Sequence, residues 1–156
     1  MPKVDLTTLP VRTGARYPKR FLKANGDTTL RQSQQVALGL TAFGANRVLL
    51  PPGAASSLRH YHTREDELVI VTAGEVVLLS NAGETPMQAG DIASFPMGVE
   101  DGHTFVNRSS EPAVIVAIGN NSEDDVWFYP DVGMRGDNQL GYVSIETGQP
   151  FPDEAE

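Results

Sequence analysis

Along the chain, runs rich in Val, Ile, Leu and Phe alternate with breaks at glycine and proline, and none sustains a 3.6-residue apolar period over a helix's length. Seven runs stand out: Asn46–Leu50, Ser57–His62, Glu67–Ala73, Glu75–Ser80, Asp91–Phe95, His103–Asn107 and Ala113–Ile118. Short strands at roughly ten-residue spacing, with turn signals between them, predict an all-β sandwich or barrel. Pro51-Pro52-Gly53 reads as one turn and Asn81-Ala82-Gly83 as a hairpin in which Gly83 can take a positive φ. Val69, Val71, Val77, Leu79 and Phe105 are expected to line or pack the interior.

The ends are less patterned. Gln32–Leu40 reads as an extended segment, with a short helix as the alternative, and Trp127-Phe128-Tyr129 is expected to pack back on the body. The terminal "QPFPDEAE" is expected to fray. The organisation predicted is an arm over residues 1–40, a barrel over 41–120 and an extension over 121–156. No internal repeat suggests a duplicated barrel.

At 156 residues the chain is one domain in size, able to bury about 70% of its unfolded surface. It has no cysteine, which removes disulfides and thiolate ligands and fits a cytoplasmic protein. No apolar run suits a membrane span or a leader segment. The net charge of −8 argues against a nucleic-acid partner, whose phosphates require a basic surface. Its distribution is uneven. Residues 1–23 hold six bases against the single acid Asp5, a local charge of +5, which leaves −13 on the remainder. Such an arm is either a solvated tail or a segment that docks on its own domain or on a neighbouring subunit.

The candidate chemistry lies in "RHYHTREDELVIVTAG", residues 59–74. On a strand, His60 and His62 project to one face and Tyr61 to the other. After a short turn Glu67, Val69 and Val71 share a face, so Glu67 is the one charge on an apolar stripe, costly to bury unless paired or bound to metal. The third and last histidine, His103, opens "HTFVN". If it points inward, so do Phe105 and Asn107, with Thr104 and Val106 outside. A lone His-x-His strand is commonly an ordinary surface strand. Here, however, every histidine of the chain falls in the pattern, and three imidazoles with one carboxylate suit a divalent transition ion.

Those residues also carry a resemblance. Gly53, His60-Tyr61-His62, Glu67 and Gly74, followed by Gly90, Pro96-Met97-Gly98, His103 and Asn107, resemble the two motifs of the cupin superfamily. The fit has one extra residue before His60 and two before His103, both in turns, where insertions cost little. The resemblance implies an antiparallel jelly-roll β-barrel with His60, His62, Glu67 and His103 as metal ligands, and with Asn107 and the glycines in structural roles. The ion would be Mn, Fe, Ni, Co or Zn, with about two coordination positions open to a small-molecule substrate or ligand. It implies an enzyme, either an isomerase or epimerase on a sugar or sugar phosphate, or a dioxygenase, decarboxylase or lyase on a hydroxy or keto acid. The alternative is a non-catalytic binding or sensor module. A homodimer is expected, with the basic arm or the strand before Arg47 at the interface. Tyr61, Glu65, Glu100, Asp101, Arg47 and Tyr129 are acid–base candidates that the sequence alone does not place.

Overall fold

A computed structural model describes residues 3–152. Thirteen strands, with three short 3-10 turns, occupy the described residues: β1 (Arg12–Thr13), β2 (Gln32–Gln35), β3 (Phe43–Leu50), β4 (Tyr61–His62), β5 (Glu67–Ala73), β6 (Glu75–Ser80), β7 (Gly83–Gln88), β8 (Ile92–Phe95), β9 (Thr104–Val106), β10 (Ala113–Asn120), β11 (Val126–Tyr129), β12 (Met134–Asp137) and β13 (Gly141–Ser144). One wall is a six-stranded antiparallel sheet in the order β1-β2-β3-β10-β5-β8. The facing wall joins β13-β12-β11-β4 to β7-β6-β9 through bridges that pair His60 with His103 and Ala55 with Val106. This is an antiparallel jelly-roll barrel, as the strand pattern and the resemblance led us to expect. No described helix is long and apolar enough to cross a membrane.

The interior follows the alternation read from sequence for β5, where Val69 and Val71 are buried beneath Glu67. It departs from it in β6. Val76 is buried and Leu78 packs against the core, whereas Val77 and Leu79 remain partly exposed. The cause is Gly74, at φ 72°, the single residue between β5 and β6. There the chain crosses from one sheet to the other and its in–out parity reverses. A Cβ at Gly74 would lie 2.6 Å from the carbonyl oxygen of Pro112, so only glycine fits both the angle and the space.

Thr104 and Val106, expected outside, are also buried. Strand β9 has no solvent face, because the extended segments around Gly26 and Ala54–Ser57 cover it. The Thr104 hydroxyl donates to the carbonyl of Ser57 at 2.7 Å, and Val106 lies against Gly26 and pairs with Ala55. Asn107, fully buried, donates to the carbonyls of Leu50 and Glu111 and accepts from Ser109. It locks the chain where β9 ends.

Two apolar clusters result. The barrel core is mainly aliphatic and includes Val48, Leu50, Val69, Val71, Phe105 and Ile115. Each such side chain contributes about 1.5–3 kcal/mol on burial, so the barrel has stability independent of any ion. The second cluster packs Leu58, Tyr129 and Met134 with Tyr17 and Phe21 from the amino-terminal segment and Trp127, Tyr142 and Phe151 from the carboxy-terminal one. The aromatic run 127–129 therefore does pack on the body, as strand β11 paired with β4. Trp127 lies over Gly136, its partner across β12, where any side chain would collide with the indole. The basic segment is not a free tail over its described length: β1 pairs with β2, and β2 with β3. The last four residues of the terminal stretch expected to fray lie outside the described residues.

Candidate metal centre

The centre draws on both walls of the barrel. His60 and His103 face each other across paired backbones, with His60 N–H donating to the His103 carbonyl at 3.1 Å and the reverse bond at 2.8 Å. This sets their rings 4.9 Å apart. His62, two residues on, puts its ring 5.0 Å from that of His60. Glu67 enters from β5 in the facing sheet, opposite Phe95 of β8, and Phe95 stacks on His103 at 3.5 Å with the planes 6° apart. Ligand-type atoms of His60, His62 and Glu67 all lie within 4.8 Å of one another, a group that could hold a metal ion. His103 joins them through Nε2, 2.6 Å from Glu67 Oε2. All four residues singled out in the sequence thus converge.

Ring orientation supports the fit. His60 Nδ1 lies 2.9 Å from the Leu58 carbonyl, which can only accept, so the proton sits on Nδ1 and Nε2 keeps its lone pair. His62 Nδ1 lies 2.6 Å from Asp125 Oδ2, which fixes the same tautomer. The other oxygen of Asp125 accepts from the backbone N–H groups of Thr63 and Arg64 at 3.0 and 2.8 Å. Asp125 is almost wholly buried. In sequence it stands in "NNSEDDVWFYPD", an acidic turn like any solvated one, and no local signal marks it.

Electrostatics favour the ligating forms of His60 and Glu67. Burial, reinforced by the neighbouring His103, lowers the His60 imidazole to about 3. Burial alone would raise Glu67, but the hydrogen bond from His103 and the attraction of the three imidazoles outweigh it and hold the carboxyl at about 2. His103 Nδ1 is buried without a hydrogen-bond partner, so Nε2, toward Glu67, is its polar working edge.

The centre opens on a cavity of about 700 Å³ to which His60, Glu67 and His103 contribute, within the range of small-molecule sites. None of the six acid–base candidates lines it. Tyr61 points away and stacks on Phe128. Glu65 and Asp101 border a separate cleft of about 60 Å³ behind His62. The Asp101 carboxylate accepts from the Asn81 backbone N–H and the Glu100 backbone carbonyl from the Asn81 side chain, Arg47 bonds to Gln34, and Tyr129 is buried behind His60. Instead, Tyr17 and Tyr142 line the cavity, their phenols raised by burial, that of Tyr17 to about 12.

Residues 46–119 match the family model of the cupin domain. No curated protein matches the chain. Among solved structures, a sugar phosphate isomerase of the cupin superfamily from Silicibacter pomeroyi is 39% identical, with 98% of this chain and 99% of that one covered and a TM-score of 0.86. A candidate sugar phosphate isomerase from Acidithiobacillus ferrooxidans is 26% identical over 76% of this chain and 81% of that one, with a TM-score of 0.66. A predicted oxalate decarboxylase from Thermotoga maritima shares the fold at 21% identity, with 77% and 99% covered and a TM-score of 0.60.

Proposed function

The chain belongs to the cupin superfamily, and from that premise we propose that it is a metal-dependent enzyme that isomerises a small sugar phosphate. His60, His62, Glu67 and His103 are the proposed ligands of a divalent transition ion. The observation that carries the reading is that three of the four open onto a cavity large enough for such a substrate, whereas purely structural sites are closed. The whole-length similarity to a sugar phosphate isomerase supports this reaction class over the other chemistries of the fold.

When bound, a divalent ion would supply Lewis acidity toward a carbonyl oxygen. The remaining tasks fall to side chains. His60 and His62 present Nε2 because Leu58 and Asp125 occupy their other nitrogens. Isomerisation also develops negative charge on a substrate oxygen, and Tyr142 is the group we assign to donate a hydrogen bond to it, since it lines the cavity and burial keeps its phenol protonated. The reading includes a homodimer, supported by the exposed Leu38 and Leu40 between β2 and β3 and the exposed Phe43 that opens β3; sedimentation at micromolar concentration tests it, and a monomer removes it.

The functional test is to follow a panel of aldose and ketose phosphates by NMR with protein reconstituted separately with Mn²⁺, Fe²⁺, Co²⁺, Ni²⁺ and Zn²⁺. Conversion that disappears in Glu67→Gln and falls in Tyr142→Phe is expected. Binding without conversion, for every metal, would identify a binding module instead.

A further inference from the structure

The cavity carries a charge opposite to that of the molecule around it. The chain as a whole is at −8, yet three arginines, Arg12, Arg16 and Arg31, line the cavity against one acid, Glu67. All three precede residue 46, outside the span that matches the cupin-domain model. A concave wall of one charge sign concentrates its field on whatever enters.

Arg31 is the most fixed of the three. Its Nη1 donates to the Ser56 carbonyl, and its Nη2 lies 3.5 Å from Ser33 Oγ. No described carboxylate pairs with it, and its Nε is buried without a hydrogen-bond partner. A guanidinium that borders an open cavity with no carboxylate beside it is suited to an anion that the protein does not itself supply. Arg12 pairs in register with Ser33 across β1 and β2, which holds it at the same rim. Arg12 and Arg16 are exposed and have no ion-pair partner among the described residues.

We propose that Arg31, with Arg12 and Arg16 from the amino-terminal segment, forms a subsite for a phosphate monoester group, so that the substrate spans the cavity from this subsite to the metal centre. The proposal rests on reading that centre as the active site. Guanidinium forks match phosphate oxygens in pairs, and three of them suit a dianion better than a single carboxylate.

Inorganic phosphate is the probe. It is titrated calorimetrically, and by phosphorus NMR, into full-length protein stripped of metal by chelator, with acetate as the carboxylate comparator. Phosphate should bind without metal. Arg31→Gln should weaken it about tenfold or more, the loss expected for a charge-assisted hydrogen bond. Arg12→Gln and Arg16→Gln, on the exposed rim, should each weaken it several-fold at unchanged melting temperature. Should Arg31→Gln not fold, Arg31→Lys, which keeps the charge and loses the fork, gives the same reading alongside the rim variants. Phosphate that binds only to metal-loaded protein and ignores these substitutions overturns the proposal, as does acetate binding equal to phosphate. Failure of the isomerase reading looks different: arginine-dependent phosphate binding would persist while no sugar phosphate is converted.

Discussion

The barrel strands and the flanking segments are packed by different means. The barrel core is built of Val, Leu and Ile on alternating strand positions, whereas the flanks close on rings. Tyr17 meets Tyr129 and Tyr142 at centroid distances of 5.3 and 5.4 Å, and Phe21 meets Phe151 at 5.3 Å. The barrel holds the four proposed ligands. The flanks hold Asp125, the two cavity tyrosines and the three cavity arginines. The difference teaches where each property resides: the barrel offers a site for an ion, and the segments around it determine how the site is oriented and what can approach it.

The largest effect expected from that division comes from the ligands. His60→Ala combined with Glu67→Gln should leave no stoichiometric ion by elemental analysis and no activity. Circular dichroism and gel filtration should nonetheless report a folded barrel, because the aliphatic core does not include either residue. Full occupancy in the double variant would place the ion elsewhere. Unfolding of the variant would show that core and centre are not separable.

Asp125→Asn carries the comparison into the flank. Asn keeps an oxygen for the N–H groups of Thr63 and Arg64, but it turns an NH₂ toward His62 Nδ1 and so opposes the tautomer that leaves Nε2 free. Outer-shell changes of this kind cost about 10–100-fold in metal affinity. A competitive chelator titration measures it; affinity equal to wild type would make Asp125 only a turn-forming residue.

This contrast also explains what was legible in the sequence. His60, His62, Glu67 and His103 could be found because strand alternation and motif spacing are local properties. Val77 and Leu79 were misread as interior because the parity reversal at Gly74 depends on the chain's changing sheets, which alternation within one run cannot reveal. Thr104 and Val106 were misread because what covers them arrives from residues far away in the chain. Asp125 and Arg31 were not singled out at all. Their roles depend on tertiary contacts with His62 and with the cavity, and neither sits in a pattern that distinguishes it from a solvated charge. The strands β7, β12 and β13 are polar or glycine-rich, as in "GETPMQ", and give no apolar run.

Acid should separate the two regions by another route. His60 ordinarily titrates near 6.5 but is held at about 3 in the fold, so between these values the unfolded chain binds the extra proton and stability falls as pH falls. Glu67, held at about 2 instead of 4.5, acts in the same direction below 4.5. Above 6.5 neither changes stability with pH, the Glu67 stabilisation being fully present there. In metal-free protein the His60 share should approach about 1.4 kcal/mol per pH unit between pH 6 and 4, read from urea unfolding. His60→Gln should flatten the curve by that amount, while Phe21→Leu, in the part of the aromatic cluster that packs on Phe151, should shift it without changing its slope. Equal slopes for wild type and His60→Gln would show that this imidazole is not held neutral.

The smallest expected effect tests how tightly the regions are joined. Arg59, next to His60, makes bonds from Nε and Nη2 to the two oxygens of Asp131 at 2.9 and 2.6 Å. Asn25 of the amino-terminal side donates to Asp131 and accepts from the Arg59 backbone N–H, so three segments meet in one cluster. The side chains keep 18% and 32% of their exposure, which screens the pair, and its coupling should be no more than about 1 kcal/mol. A double-mutant cycle of Arg59→Ala and Asp131→Ala measures this by unfolding in low and high salt. Coupling that small, falling with salt, means that the aromatic cluster carries the attachment of the flanks. Coupling several times larger and insensitive to salt would make this ion pair the joint, and the two regions would then unfold as one through a polar contact.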